Sequence, residues 1–315
     1  MPLLAGVDEA GYGPTLGPLV VGAVVFRVGV SSGRRLREIL SAAVSRWGDR
    51  DGSRVVVDDS KKVFGGARRI ESLEAPCGAW LAAGGDLPGT VGELLDRVAP
   101  GARGAAQGFP WYDRDEAWPV KSRREDVVAR GKILREALTA AGVEWRGVAA
   151  KVCFEGEYNR RLEERNKAGV LFDLVGDVMM AVLAGGAGPA ARFECDRQGG
   201  RRRYGPGLAA RFAPAAVETV EERRACSAYA VRVSGRVVNV AFLLHGEEAS
   251  FPVALASMWA KYLRELMMRR FNAYWESRGI RPTAGYPHDA KRWLAETGPL
   301  RREAGIDDAL LIRRK

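Results

Sequence analysis

The fold class of this 315-residue chain is decided near its start, by the segment Gly6-Val7-Asp8-Glu9-Ala10-Gly11-Tyr12-Gly13-Pro14. The apolar run 3–7 predicts a strand that ends in two carboxylates, and the Gly- and Pro-rich residues after it predict a tight loop. A second run, 19–26, is rich in β-branched residues and predicts another strand. Because a short loop joins the two strands, we expect a sheet that is not purely parallel.

Later segments predict a sheet covered by helices. Apolar runs predict strands at 55–57, 148–154 and 191–196, and a hairpin at 229–233 and 237–243 that turns at Ser234-Gly235. Helical spacing predicts helices at 34–47, 132–141, 157–183, 252–277 and 287–296. Strands mixed with covering helices predict an α/β fold, with a mixed sheet flanked by helices. Residues 76–131 show weak periodicity apart from a helix at 91–98, and we interpret them as an insertion or lid.

The charge balance suggests a polyanionic partner. The chain has 49 Lys and Arg residues against 39 Asp and Glu residues, a net charge of +10 and a pI of about 9.7. Such an excess favours nucleic acid first and a membrane surface second, with simple solubility as the alternative. The basic residues are densest at 197–224, where Arg201-Arg202-Arg203-Tyr204 combines cations with an aromatic ring, which suits a nucleic-acid backbone.

Composition also argues against several classes of protein. The apolar run 16–26 is about half a membrane span, and no basic leader precedes Asp8. The four cysteines stand far apart and only two histidines occur, so zinc sites and histidine-based hydrolysis are not expected. We therefore expect a monomeric cytoplasmic protein that does not bind membranes and whose chemistry depends on carboxylates.

Acidic residues occur at three comparable places. Asp8 and Glu9 end the first predicted strand, Asp196 ends a later one, and Glu247 and Glu248 precede the helix at 252–277. Strand ends in a layered α/β sheet converge on one edge, where carboxylates repel each other unless a cation joins them. Mg²⁺ prefers oxygen ligands, and two such ions about 4 Å apart can activate water for phosphodiester cleavage. The alternative is that these residues only cap a turn and a helix.

Three further motifs follow the opening segment. The segment itself continues into Gly17-Pro18-Leu19-Val20-Val21, and the others are Asp59-Ser60-Lys61-Lys62, Ala256-Ser257-Met258-Trp259-Ala260-Lys261 and Gly285-Tyr286-Pro287. In this order, the four motifs resemble those of type 2 ribonucleases H, the ribonuclease HII/HIII family. The resemblance implies a ribonuclease H-like mixed sheet flanked by helices. It also implies a single catalytic domain over 1–315, with a family-unmatched insertion at about 76–131 and a helical, substrate-binding C-terminal segment at about 279–315.

The resemblance implies an activity as well. Members of this family are endonucleases that hydrolyse the RNA strand of RNA/DNA hybrids and leave 5′-phosphomonoesters. They use Mg²⁺, with Mn²⁺ as a substitute. Carried over to this chain, the resemblance makes Asp8, Glu9 and Asp196 metal-binding catalytic carboxylates.

The fourth carboxylate is a glutamate, which resembles the HIII branch of the family. Counting back without a gap from Ala256-Ser257 selects Glu247, whereas counting from Pro252 selects Glu248. We favour Glu247 as the catalytic metal ligand, and Glu248 stays open as the alternative.

Substrate contacts follow from the same resemblance. In the family, the glycine loop approaches the 2′-hydroxyl that distinguishes RNA from DNA, and Gly11 and Gly13 match that loop. Tyr12 stands where the family has Arg or Lys, so a phosphate-binding cation is missing. Tyr286 matches a tyrosine that packs against the nucleic acid near the RNA–DNA junction. The expected phosphate-binding residues of the second motif are Ser60, Lys61 and Lys62.

Two other functions stay open at this point. One is a nucleic-acid-binding protein of altered catalysis on the same fold. The other is a different carboxylate nuclease of this fold, such as a junction resolvase. A dinucleotide-binding enzyme is disfavoured, because the glycine spacing fits such a loop poorly and no helix follows it.

Overall fold

The computed structural model describes residues 1–29, 33–49, 52–67, 69–185, 190–233 and 235–314. The strands are β1 (Leu3–Ala10), β2 (Leu19–Arg27), β3 (Val44–Ser45), β4 (Val55–Val56), β5 (Glu144–Cys153), β6 (Ala190–Asp196), β7 (Ala216–Glu222), β8 (Cys226–Val233) and β9 (Arg236–Leu243). One seven-stranded sheet has the order β5-β2-β1-β6-β9-β8-β7, and β3 pairs with β4.

The helices that surround the sheet are α1 (Gly33–Ile39), α2 (Ser60–Ala67), α3 (Glu71–Gly84), α4 (Val91–Val98), α5 (Ala102–Ala106), α6 (Arg124–Ala140), α7 (Glu155–Glu164), α8 (Lys167–Gly185), α9 (Gly205–Arg211), α10 (Gly246–Ala249), α11 (Phe251–Glu276) and α12 (Pro287–Glu303). A short 3-10 helix, Asp308–Leu310, follows α12.

The sheet is mixed, as expected. β1 pairs antiparallel with β2, and β2 pairs antiparallel with β5. On its other side β1 is parallel to β6, which in turn is parallel to β9. The prediction of an α/β fold with a mixed sheet flanked by helices is therefore confirmed. The predicted hairpin is β8 and β9, although its turn residue Ser234 lies outside the described residues.

Alternation along β1 and β2 divides the core into two layers. Leu4 and Val24 belong to the layer on the α11 side, whereas Leu3 and Val7 belong to the layer that includes α8. The α11 helix lies very close to β1, because a Cβ on Gly6 would fall 2.0 Å from the carbonyl carbon of Pro252. This glycine lets the start of α11 rest on the end of the sheet that carries the acidic residues.

Four helix predictions are wrong in their bounds. The helix predicted at 132–141 begins at Arg124, and the helix predicted at 287–296 continues to Glu303. The helix at 34–47 ends at Ile39, because the chain turns and Val44–Ser45 pairs in parallel with Val55–Val56. The helix at 157–183 is two helices, because Asn166 starts a new one by accepting a hydrogen bond from Gly169 N at 2.8 Å. The helices predicted at 91–98 and 252–277 correspond to α4 and α11.

Residues 76–131 hold several helices and contribute to the main core. Trp80 and Tyr112 are fully buried, and both belong to the layer that includes α11. The α3 and α6 helices pack closely, since a Cβ on Gly131 would lie 2.3 Å from Ala82 Cβ. The segment thus supports the sheet from the α11 side. Its status as an insertion into a single catalytic domain stays a prediction.

Candidate active site

Carboxylates from two neighbouring strands lie side by side at one edge of the sheet. In the parallel pairing of β1 with β6, Val7 lies opposite Cys195. One residue further on, this register sets Asp8 beside Asp196, and Glu9 follows directly on β1. The fold therefore places the strand ends that carry Asp8, Glu9 and Asp196 at the same edge of the sheet.

Glu247 joins the cluster through the short helix α10. Gly246 N donates a hydrogen bond to Asp196 Oδ1 at 2.8 Å. A Cβ on Gly246 would lie only 2.9 Å from the same oxygen, so glycine is required for this approach. His245 turns the chain from β9 into α10 with a left-handed backbone, at φ 54° and ψ 53°.

The two candidate glutamates of α10 differ in their surroundings. The Glu247 side chain is 11% exposed and faces the cluster, where the charge of Asp196 acts on it. The Glu248 side chain is 59% exposed, and its Oε1 pairs with Lys62 Nζ at 3.1 Å. We use the term carboxylate cluster for Asp8, Glu9, Asp196 and Glu247.

The pKa values of all four members of the carboxylate cluster are raised, mainly by burial. Burial raises the pKa of Asp8 well above its usual value, and the charges of Glu9, Asp196 and Glu247 raise it further. Burial, followed by the charges of Asp196 and Glu247, raises the pKa of Glu9 to about 7. Burial is also the main cause that raises the pKa values of Asp196 and Glu247. The folded protein therefore disfavours four simultaneous negative charges here.

Lys61 is a cation beside this cluster. Its Nζ lies 3.8 Å from Glu247 Oε1, and its side chain is 84% exposed. Burial lowers the pKa of Lys61, but the nearby charges of Glu247, Asp59, Asp8 and Asp196 outweigh that effect and raise the pKa above its usual value. An exposed cation next to buried carboxylates is suited to attract a phosphate to the site.

The second motif forms the start and first turn of α2. Asp59 Oδ1 caps this turn by accepting from Lys61 N at 2.8 Å. Ser60 is buried, and its N–H donates to Ser257 Oγ at 3.3 Å, which ties α2 to α11. Lys61 and Lys62 are exposed, whereas Ser60 is held inside.

The donor set fits a hard divalent cation. All four members of the carboxylate cluster offer carboxylate oxygens, the ligands that Mg²⁺ and Mn²⁺ prefer. Within the described ranges, no group of three or more His, Cys, Asp or Glu side chains is arranged to hold a metal ion as the side chains stand.

The glycine loop and Tyr286 lie next to each other. Gly11 has φ 91°, and a Cβ there would lie 2.6 Å from Pro18 O, so the loop needs glycine. A Cβ on Gly13 would lie 3.7 Å from Tyr286 Cε1, which places the tyrosine ring beside the loop. Tyr286 is 49% exposed, so its ring is available to a ligand.

The C-terminal segment anchors this loop from behind. Gly285 O accepts hydrogen bonds from Thr15 N at 2.8 Å and Leu16 N at 3.1 Å. Buried Arg313 donates from Nη2 to Gly11 O at 2.6 Å. Gly285 and Arg313, near the C-terminal end of the described chain, therefore hold the glycine loop near its N-terminal end in place.

A lysine that sequence reasoning missed lies over the Tyr12 ring. Lys167, the first residue of α8, places its Nζ 4.5 Å from the centre of that ring. Burial raises the pKa of Tyr12, and the charge of Glu9 adds to the rise, so the ring is close to the carboxylate cluster. The prediction of one continuous helix at 157–183 missed Lys167, because only the break at Asn166 makes it the first residue of a helix beside the glycine loop.

The basic run before α9 differs from expectation in its aromatic residue. Tyr204 is 1% exposed and stacks on Phe242 with ring centres 3.5 Å apart. The expected contact of its ring with a nucleic-acid backbone is therefore wrong, because the ring belongs to the core. Arg202 and Arg203 are exposed, and the Arg201 guanidinium lies over the Phe172 ring.

One helix, α8, is long and apolar enough to cross a membrane by length and composition, among the residues that the structure describes. Half of that stretch is buried inside the fold. Core helices of soluble proteins have the same properties, so α8 on its own is weak evidence for a membrane span.

Comparisons with known proteins find distant structural likeness only. No family model matches the chain, and no curated protein matches it in sequence. Ribonuclease HII from Archaeoglobus fulgidus, solved in complex with PCNA, is 15% identical, with 99% of this chain and 94% of that chain covered and a TM-score of 0.44. Ribonuclease H2 from Pyrococcus horikoshii is 14% identical, with 98% and 92% covered and a TM-score of 0.44.

A third solved structure, Bst-RNase HIII in complex with Mn²⁺, is 14% identical to this chain. It covers 99% of this chain and 66% of its own length, with a TM-score of 0.42. At these values the likeness carries no information on activity, which depends on the side chains of the site.

Proposed function

We propose that this protein is a metal-dependent endonuclease of the type 2 ribonuclease H kind, which hydrolyses the RNA strand of RNA/DNA hybrids and leaves 5′-phosphomonoesters. The observation that carries the proposal is the carboxylate cluster: two buried and two partly buried acidic groups with raised pKa values, beside a glycine loop and an exposed tyrosine. Close like charges that outnumber the neighbouring cation Lys61 are costly, and a bound divalent cation would offset this cost.

In this proposal Asp8, Glu9, Asp196 and Glu247 hold Mg²⁺, with Mn²⁺ as a substitute. When bound, the metal supplies a polarised water and neutralises charge on the scissile phosphate. Asp196 is oriented for this role by Gly246 N, which fixes its Oδ1. Glu9 N does the same for Asp8 Oδ1, at 2.7 Å. Glu248 is the weaker candidate, because Lys62 pairs with it away from the cluster.

Cations and backbone groups around the cluster position the substrate. Exposed Lys61 draws the phosphate toward Glu247, and Lys62 follows it on α2. Gly11 and Gly13 bring backbone groups close to the 2′-hydroxyl, and Tyr286 stacks against the sugar or base beside it. Lys167 supplies at the loop the positive charge that Tyr12 lacks.

The test is cleavage of a labelled RNA/DNA hybrid in the presence of Mg²⁺. Asp8→Asn and Asp196→Asn each remove one charge with little change of shape, and we expect each to lose at least about a hundredfold in rate. Glu218→Gln, on the exposed far edge strand β7, is the matched control and retains the wild-type rate. Undiminished cleavage by either aspartate variant would contradict the site assignment.

A second candidate is a carboxylate nuclease for another substrate, and Tyr12 favours it by departing from the family loop. The same assay with duplex DNA and a four-way junction in place of the hybrid separates the two. Preferential cleavage of the hybrid supports the first proposal. The monomeric state, the cytoplasmic location and the single-domain organisation stay predictions.

A further inference from the structure

A cavity rich in arginine lies beside α10, outside the carboxylate cluster. It has a volume of about 510 Å³ and lies between α1 and the segment from Leu244 to Phe251. Its charged and titratable lining residues are Arg34, Arg37, Arg46, Glu38, His245 and Glu248. We use the term arginine cavity for this site.

The arginines of this cavity are poorly matched by acids. Glu248 is engaged by Lys62, at 3.1 Å. Arg46 Nη1 lies 3.7 Å from Asp58 Oδ1, while nearly half of the Arg46 side chain is exposed. The Arg34 side chain is exposed and lines the cavity. The lining therefore retains a positive surplus with Glu38 as the remaining acid.

The charged form of Arg37 is disfavoured by burial and by the nearby positive charge of Arg46. Burial lowers the pKa of Arg37 to about 10, the charge of Arg46 lowers it further, and the charge of Asp58 offsets part of this effect. The guanidinium is held in place by a hydrogen bond from Nη1 to Val57 O at 2.9 Å, and it lies over the Phe251 ring. Asp58 is one buried acid beside Arg37 and Arg46, so these arginines together with Arg34 retain a net positive charge that suits an anion.

The arginine cavity and the carboxylate cluster share one short element. His245 and Glu248 line the cavity, and Glu247 between them belongs to the cluster. A nucleic-acid strand with a phosphate at the cluster therefore has further phosphates within reach of the cavity. Guanidinium groups suit this ligand, because their fork of donors matches phosphate oxygens.

We propose that the arginine cavity binds a backbone phosphate of the nucleic-acid substrate, away from the bond that is cut. Arg34 and Arg46 make the contact, and Arg37 holds the floor of the cavity. This inference rests on the proposed function for the identity of the substrate. It adds a contact from the region between β2 and α2, which none of the four sequence motifs includes.

The test measures binding of an uncleaved RNA/DNA hybrid in EDTA at several salt concentrations. Arg34→Gln and Arg46→Gln are compared with Arg35→Gln, a control of equal charge on the same helix that is exposed and does not line the cavity. Each lost phosphate contact makes the slope of log affinity against log salt shallower by about 0.9. With Mg²⁺ present, KM rises while kcat stays at the wild-type value, because neither arginine touches the reacting atoms.

A slope for Arg34→Gln and Arg46→Gln equal to that for Arg35→Gln overturns the proposal. The proposal is also overturned if Arg34→Gln and Arg46→Gln weaken binding to anionic lipid vesicles but leave binding of the hybrid unchanged. In a further outcome, the protein does not cleave the hybrid, yet Arg34→Gln and Arg46→Gln still show a shallower salt slope than Arg35→Gln for binding of hybrid or duplex DNA. That result supports the cavity proposal and contradicts the nuclease proposal. We expect Arg34→Lys, which keeps the positive charge, to have a salt slope between those of Arg34→Gln and the wild-type protein. A purely structural effect would instead lower Tm in Arg34→Gln, Arg46→Gln and Arg34→Lys.

Discussion

Two buried acidic regions of this molecule contrast sharply in how their charge is satisfied. Glu74 on α3 is fully buried, yet four donors satisfy it. Its Oε1 accepts from Val120 N at 2.8 Å and from Tyr262 Oη at 2.7 Å. Its Oε2 accepts from the N–H groups of Lys121 and Ser122, at 2.9 and 2.6 Å.

The carboxylate cluster has the opposite surroundings. Among the described residues, Asp8 accepts a hydrogen bond from Glu9 N, three carboxylates raise its pKa, and exposed Lys61 is the cation close enough to interact with it. A buried charge with four donors holds a fold together, whereas buried charges that face each other store repulsion until a cation relieves it. The contrast teaches that donor supply, rather than burial, separates a structural carboxylate from a candidate ligand.

The largest expected effect separates the two glutamates of α10. Glu247→Gln removes a charge from the cluster, and we expect at least about a hundredfold loss of hybrid cleavage. Glu248→Gln removes an exposed partner of Lys62, and we expect a loss below about tenfold. Single-turnover cleavage rates measure both. A greater loss from Glu248→Gln would show that the cluster has been assigned to the wrong residue.

The next effect has opposite signs in the two regions. Glu74→Gln turns one acceptor oxygen into a donor that faces backbone N–H groups, and we expect it to lower the free energy of unfolding by about 2–4 kcal/mol. Glu9→Gln removes repulsion, and at about pH 8 without metal we expect it to raise the free energy of unfolding by about 1–3 kcal/mol. Urea unfolding checks both values. If Glu9→Gln destabilises the protein as Glu74→Gln does, the contrast between the regions is wrong.

The pH dependence of stability follows from Glu9. Its pKa is raised from 4.5 to about 7 in the folded protein, so the folded state binds the proton more tightly than the unfolded state. The stability that this proton contributes is full below about pH 4.5 and is lost as the pH rises through about 7. Excess Mg²⁺ is expected to restore it above pH 7 and to have little effect at pH 5. Tm measured across this range with Mg²⁺ or EDTA tests the prediction, and an equal effect of Mg²⁺ at both ends would contradict it.

The smallest effect concerns the glycine loop. Lys167→Ala removes the cation over the Tyr12 ring, and we expect KM for the hybrid to rise by about two- to fivefold, since one cation–π contact contributes about 0.5–1 kcal/mol at an exposed site. Lys167→Arg is the matched variant and keeps KM near the wild-type value. Steady-state kinetics check both, and equal KM values for all three proteins would remove Lys167 from the substrate site.

The parts of the site that local patterns determine could be predicted from the sequence. Asp8, Glu9 and Asp196 end strands, and the pairing of β1 with β6 follows from the layered fold, so their convergence was foreseeable. The choice between Glu247 and Glu248 was not, because it depends on the left-handed turn at His245 and on the approach of Gly246 to Asp196.

Residues brought together by breaks in helices escaped prediction. The helix expected at 34–47 ends at Ile39, and the return of the chain through β3 is what carries Arg46 to the cavity of Arg34 and Arg37. The helical spacing of apolar residues continues past Ile39. The helix ends there because β3 pairs with β4, and such a contact between residues distant in sequence cannot be predicted from local periodicity.

The central claim is that a divalent cation completes the carboxylate cluster. Titration of Mn²⁺ into the wild-type protein and into Asp8→Asn at about pH 8, followed by the paramagnetic signal of free Mn²⁺, measures this without reference to any substrate. We expect saturable binding to the wild-type protein and at least about tenfold weaker binding to Asp8→Asn. Equal binding of Mn²⁺ to the two proteins, or no binding to either, would contradict the claim.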